Sequence, residues 1–265
     1  MTTPNVLVLR ASGTNCDEET AATFETCGAR AEAVHVRRLI EEPELLKKFS
    51  ILALPGGFSY GDDLGSGVVL AHELRQRLFE PLQDFVKRGG LVLGICNGFQ
   101  TLIKTGLLPG PTYAKGVEPL VATLTHNDCQ HYVDRWVTLR VEKSSSPFLK
   151  GAEGRLIECP VAHGEGKFIA KDANVLKKFA SAGQIAFRYV TSEGQPADSF
   201  PDNPNGSAEA IAGLTDETGR VLGLMPHPER HAQPWQHPRW TRDGLKAEGD
   251  GLFIFRNAVE FAKGA

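Results

Sequence analysis

A chain of 265 residues, 41% hydrophobic and 23% charged, has the composition of an ordinary globular protein and is long enough to bury a substantial core. Its 29 Lys and Arg against 32 Asp and Glu give a formal charge of -3, so no basic field recommends nucleic acid or an anionic membrane, and a small molecule or another protein is left as partner. Five scattered cysteines without a C-x-x-C pair suggest free thiols, no apolar run approaches the roughly 18 residues of a membrane span, and Met1-Thr2-Thr3-Pro4-Asn5 lacks the basic segment of a secretory leader, so a cytoplasmic location is expected.

In chain order, residues 6–9 read as a strand, 17–27 as a helix stopped by Gly28, and 31–36 as a second strand. A helix over 41–49 is entered through Pro43, and a third strand over 51–54 ends at Pro55-Gly56-Gly57. Residues 68–88 are helical, with Pro81 marking a kink or restart and Gly89-Gly90 the stop; 91–95 is a fourth, wholly apolar strand. This alternation predicts a parallel sheet with right-handed crossovers. Beyond Pro109-Gly110-Pro111 the texture turns β-rich, with strands over 121–125, 135–141, 157–161 and 185–190 and a short helix over 175–180. A hairpin over 210–215 and 219–225 runs into Pro226-His227-Pro228-Glu229-Arg230, a Pro/Trp/His-rich loop covers 233–251, and an amphipathic helix over 252–263 closes the chain. With no clear linker, residues 1–265 are expected to form a single α/β domain whose β-rich half extends the sheet of the first half.

The chemistry concentrates at strand ends. Cys96 follows a buried strand and opens a helix between Gly94 and Gly98, where the unpaired N–H groups and positive dipole end favour a thiolate, although a buried structural cysteine would fit the same pattern. A cysteine nucleophile needs a base and a group to orient it. In Pro226-His227-Pro228-Glu229 the prolines exclude a helix and suggest an extended segment, on which side chains two apart face the same way and Glu229 can support His227. Gly56-Gly57-Phe58, after the third strand, permits close backbone approach to a substrate and an N–H aimed at an oxyanion together with that of Asn97. No phosphate-binding loop is present. No metal site is expected either: His227 and His231 are four apart but their prolines forbid the helix that zinc spacing needs, and His72-Glu73 has no second histidine. The turn His163-Gly164-Glu165-Gly166 reads as a hairpin corner.

Gly94-Ile95-Cys96-Asn97-Gly98-Phe99-Gln100, the string from Pro55 to Asp62, and Pro226-His227-Pro228-Glu229-Arg230 together resemble the class I, triad-type glutamine amidotransferases. The Gly56-Gly57-Phe58-Ser59-Tyr60-Gly61-Asp62 string narrows the likeness to the glutaminase subunits of phosphoribosylformylglycinamidine synthases, and Gly13 to Asp17, Asn127, Ala162 to Phe168 and Gly249-Asp250-Gly251 are supporting matches. The resemblance implies a three-layer, flavodoxin-like fold, with helices on both faces of a mostly parallel sheet and β-rich C-terminal additions. It implies Cys96 as nucleophile, His227 as general acid/base, Glu229 as its orienting partner, Gly57 and Asn97 as oxyanion donors, and Phe58 and Gln100 as pocket residues. It further implies L-glutamine as substrate, no cofactor or metal in this chain, and delivery of ammonia to a large synthetase subunit that uses ATP and Mg, with a small accessory subunit beside it. Asp63-Leu64-Gly65 and the long stretch 233–251 depart from many relatives. Two other readings stay open: a cysteine amidase or peptidase whose nucleophile is followed directly by its His, a place held here by Asn97, and a non-catalytic scaffold subunit.

Overall fold

The computed structural model describes residues 2–110 and 120–264; Met1 and Pro111, both used in reading the sequence, lie outside the described residues. β1 (Asn5–Arg10) leads through α1 (Asp17–Thr26) to β2 (Arg30–His35), and α2 (Val36–Glu41) starts the return to β3 (Ile51–Leu54). The pair α3 (Val68–Arg77) and α4 (Phe79–Lys87) connects to β4 (Leu91–Ile95), which runs into α5 (Asn97–Thr105). There follow β5 (Ala122–Thr125), β6 (Val133–Val141), β7 (Leu156–His163), β8 (Lys167–Ala170), α6 (Ala173–Ser181), β9 (Ile185–Val190), β10 (Ile211–Thr215) and β11 (Val221–Leu224). A short α7 (Trp240–Asp243) and the long α8 (Leu252–Lys263) complete the chain.

Among the described residues nine strands form one sheet in the order β2-β1-β3-β4-β11-β10-β9-β6-β7. The first five are mutually parallel, and the last four extend them with antiparallel pairings, so the β-rich half does prolong the sheet of the first half. The chain steps outward from β1 to β2 and then the other way, through β3 and β4 to β11. With right-handed crossovers, α1 therefore covers one face and α2 to α5 the other, which is the flavodoxin-like three-layer arrangement. β3 and β4 are buried at every residue, as strands covered on both faces must be. On the α1 face Phe24 meets Phe255 of α8 edge to face, 4.9 Å between centroids, and two fully buried aromatics contribute about 1.5–3 kcal/mol each. The C-terminal ends of β1, β3, β4 and β11 consequently share one edge of the sheet, where such folds place their ligands.

Four local expectations are corrected by the structure. The helix expected over 41–49 is instead α2 plus a 3-10 turn over Pro43–Lys48, because Glu42, preceding a proline, sits at φ -128 and ψ 66 and cannot continue an α-helix. The break in 68–88 falls at Leu78, which puts Pro81 in the first turn of α4, where its missing N–H has no intrahelical role. β5 leaves the main sheet and pairs with β8, a strand not anticipated, in a separate two-stranded ribbon. The segment after His227 is a 3-10 turn over Pro228–His231 and not extended.

Candidate active site

Cys96 stands between β4 and α5 at φ 51 and ψ -105, a backbone conformation that costs a non-glycine residue about 1–3 kcal/mol unless its surroundings enforce it. Here they do. The Cys96 N–H donates to the Leu224 carbonyl at 2.8 Å and the Gln100 N–H donates to the Cys96 carbonyl at 3.0 Å, so strand β11 and the first turn of α5 grip the corner from both sides. The glycines two residues away on either side let helix and strand approach: a Cβ on Gly98 would lie 1.9 Å from the Leu54 carbonyl oxygen, and one on Gly94 2.5 Å from Leu102 Cδ1. Cys96 Sγ contacts the Ala162 carbonyl at 3.6 Å, and the N–H groups of Asn97 and Gly98, in the first helical turn, have no intrahelical acceptor.

His227 reaches the same corner from the end of β11. Its backbone N–H donates to Pro160 at 2.8 Å, and Nδ1 donates to Glu229 Oε1 at 2.6 Å, which leaves Nε2 as the exchangeable position. Side chains two apart meet across a 3-10 turn here, with Glu229 and His231 on its buried side. Burial disfavours charge on the imidazole, but Glu229 and then Cys96 outweigh it and hold the pKa well above the ordinary histidine value. Nε2 of His227 and Oε2 of Glu229 are both buried without a hydrogen-bond partner. Gly56 is the floor of this group: a Cβ there would stand 2.7 Å from His227 Cε1, 3.0 Å from Cys16 Sγ and 3.5 Å from Cys96 Cβ. Gly57, at φ 142, turns instead against the backbone of Gly13 to Asn15, and its neighbour Phe58 donates its N–H to Gly13 at 2.9 Å.

A polar network walls the site. Asn97 Nδ2 donates to Asp62 Oδ1 at 3.2 Å and to Gln100 Oε1 at 3.0 Å, while Asn97 Oδ1 accepts from the Ser59 N–H. Gln100 Nε2 donates to the Glu165 carbonyl at 2.6 Å, and the Glu165 carboxylate accepts from the Ser66 N–H. Asn127 fixes the neighbouring turn, accepting from the Gly166 N–H at 2.9 Å and from His163 Nδ1 at 3.1 Å. Burial, with His227's charge a lesser cause, depresses the pKa of His163 to about 3, so this ring is neutral. Phe58 and Tyr132 stand exposed, 6.3 Å apart between centroids, and a cavity of about 450 Å³ lined by His126, Asn127, Asp128 and Gln130 lies beside the Asn127 clamp.

Residues 3–262 match the model of the CobB/CobQ-like glutamine amidotransferase domain. The chain belongs to that family. Among the relatives of this amidotransferase is the phosphoribosylformylglycinamidine synthase subunit PurQ of Dehalococcoides mccartyi, 46% identical with 99% of each chain covered. The Archaeoglobus fulgidus protein of the same name is 39% identical, with 97% of this chain and 96% of that one covered. Among solved structures, that of PurLQS from Thermotoga maritima matches with a TM-score of 0.73 and 30% identity, covering 98% of this chain and 99% of that one. Of the residues singled out in the amidotransferase sequence, Cys96, His227, Glu229 and Asn97 come together at one corner; Gln100 is committed to bracing the Glu165 turn, and Phe58 stands at the rim. Cys16, Glu19 and Arg230 were not anticipated as members of the group. The Arg230 guanidinium donates to Glu19 Oε1 at 2.9 Å and to Cys16 Sγ at 3.2 Å, joining residues more than two hundred positions apart, for which no spacing signal exists.

Proposed function

We propose that this chain is the glutaminase subunit of phosphoribosylformylglycinamidine synthase, a single amidotransferase domain over residues 1–265 that strips ammonia from L-glutamine for purine biosynthesis. The observation that carries the reading is the meeting of a thiol on a strained elbow with a carboxylate-oriented imidazole over Gly56, in a chain whose relatives of that name match it almost end to end.

In this reading Cys96 gives its proton to His227 Nε2, and the thiolate attacks the side-chain amide carbon of glutamine. The carbonyl π electrons move to oxygen, and that oxyanion is met by the N–H groups of Asn97 and Gly57; loss of one such donor typically costs about 10²–10³ in rate. Glu229 stabilises the imidazolium, whose raised pKa suits it to hold the proton until nitrogen leaves. His227 then delivers the proton to nitrogen, the C–N bond breaks and ammonia departs. Water, its proton taken by the same imidazole, attacks the γ-glutamyl thioester; the C–S bond breaks and glutamate is released. Phe58 and Gln100 belong to the walls that hold the substrate.

Ammonia passes to a large synthetase subunit, which spends ATP with Mg to convert formylglycinamide ribonucleotide to its amidine, in an assembly that also includes a small accessory subunit. This chain supplies no cofactor or metal to that reaction. Its location is cytoplasmic; among the described residues no helix is long and apolar enough to cross a membrane. The test is Cys96→Ala assayed in complex with the synthetase. Glutamine-dependent synthesis is lost while synthesis from added ammonium salt persists, and retained glutamine hydrolysis would refute the assignment.

A further inference from the structure

Five residues around the nucleophile elbow close a ring of hydrogen bonds. Asn97 Nδ2 donates to Asp62 Oδ1 at 3.2 Å and to Gln100 Oε1 at 3.0 Å, and Gln100 Nε2 donates to the Glu165 carbonyl at 2.6 Å. The Glu165 carboxylate accepts from the Ser66 N–H at 3.2 Å, and the Ser66 hydroxyl closes the circuit by donating to Asp62 Oδ2 at 2.8 Å. The amides fit in one orientation only: Asn97 Oδ1 is taken by the Ser59 N–H, so Asn97 Nδ2 serves both acceptors, and Gln100 turns its oxygen to Asn97 and its nitrogen to Glu165. Asn97, Gln100 and Ser66 are buried, where a broken hydrogen bond leaves a costly orphan, so the members hold one another in place. Asp62 joins the ring from a strained loop. Tyr60, Gly61 and Asp62 stand at φ 56, 71 and 55, three consecutive residues in the left-handed region, and the Tyr60 hydroxyl pins the bend by donating to Glu73 Oε2 of α3 at 2.5 Å. Strain of this kind persists only where its surroundings enforce it, and it gathers at functional sites. Past the bend, Gly67 packs so closely that a Cβ there would stand 2.9 Å from the Thr101 nitrogen of α5. The loop thus grips α5 at both Asn97 and Thr101.

We propose that Asp62 and Ser66 are positioning residues of the glutaminase reaction, a role that rests on the proposed function: through the Asn97 side chain they aim the Asn97 N–H at the oxyanion. Asn97 belongs to the peptide that follows Cys96. Of its side-chain partners Gln100 lies on the same helix, so Asp62 and the Ser59 N–H are what fixes that peptide from outside α5. The oxyanion exists only once sulfur has attacked, so a donor moved out of line costs kcat and leaves the binding of glutamine as it was.

Steady-state glutaminase kinetics of Asp62 and Ser66 variants in complex with the synthetase test the assignment. Asp62→Ala is expected to lower kcat by about 10- to 100-fold, with KM for glutamine within about twofold of the wild type. Asp62→Asn keeps an oxygen for Asn97 and offers an N–H to Ser66, whose hydroxyl can turn to accept, and is expected to restore kcat to within about fivefold. Alkylation of Cys96 by iodoacetamide, read by peptide mass, forms no oxyanion and is expected to run at the wild-type rate in both variants. Ser66→Ala, which leaves the backbone bond to Glu165, is expected to lower kcat by about three- to tenfold, and it decides the matter should a melting curve show that Asp62→Ala does not fold. Among folded chains, an unimpaired Asp62→Ala or Ser66→Ala, a loss that falls on KM, an Asp62→Asn as slow as Asp62→Ala, or Cys96 alkylation slowed along with turnover overturns the proposal. Absence of glutamine turnover in the wild-type complex would instead refute the proposed function itself.

Discussion

At Gly56 the chain has no room for one carbon atom. A methyl group there would press on His227 Cε1 at 2.7 Å and on Cys16 Sγ at 3.0 Å, both side-chain atoms that must give way. Gly56→Ala is therefore expected to swing the ring off Cys96 and lower kcat by about 10²-fold, the usual consequence of an ångström of misplacement. Thermal unfolding should move little, since the displaced ring lies at the sheet's edge. Steady-state glutaminase assays beside a melting curve check this, and an unimpaired kcat would mean that the ring's position is not what limits turnover.

Between elements, α5 comes close against the backbone of β3 at Gly98. A Cβ on Gly98 would lie 1.9 Å from the Leu54 carbonyl and 2.9 Å from its Cβ; the nearest obstacle is backbone, so the helix itself must move. Gly98→Ala should destabilise the fold by about 1–3 kcal/mol, read as a lowered urea midpoint, and an unchanged midpoint would show that α5 can slide freely. The elbow that carries Gly98 was legible in the sequence because its signature is local: an apolar run, a glycine, a cysteine and a helical pattern follow one another within ten residues, whereas the approach to Leu54 has no such signal. The first four parallel strands and the final hairpin were legible for the same reason; the parallel pairing of β11 on β4, more than a hundred residues away, was not. β8 was not, because Lys167–Ala170 is four residues long with one buried side chain, and its strand character comes from pairing with β5. α2 escaped notice because its cap is the ring of His35, which accepts from the Arg37 N–H, in place of the usual Ser, Thr, Asp or Asn. Within the site, Cys96, His227 and Glu229 announce themselves through their neighbours in the chain. Cys16, Glu19 and Arg230 meet only after the sheet has brought β1 and β11 to a common edge.

For the molecule as a whole, stability is tied to pH through His163, at the end of β7 where the antiparallel extension returns to the active-site edge. The ring donates from Nδ1 to Asn127 and lies so close over Gly166 that a Cβ there would stand 2.2 Å from His163 Cε1. Its pKa is about 3 in the fold, depressed chiefly by burial, against an ordinary value of 6.5 in the unfolded chain. Between those two values the unfolded chain binds a proton that the folded chain refuses, so acid favours unfolding. The stabilisation of the neutral ring is complete above the unfolded pKa and is withdrawn as pH falls from about 6.5 toward 3, at up to roughly 1.4 kcal/mol per pH unit. Carboxylates titrate in the lower part of that window, so the contribution is isolated by difference. His163→Gln keeps a donor for Asn127 and cannot titrate; whatever it costs at pH 7.5, its disadvantage should shrink steadily between pH 6.5 and 4.5 as the wild type loses stability faster. Urea titrations of both proteins across that range decide the matter, because parallel stability curves would mean that His163 accepts its proton as readily in the fold as outside it.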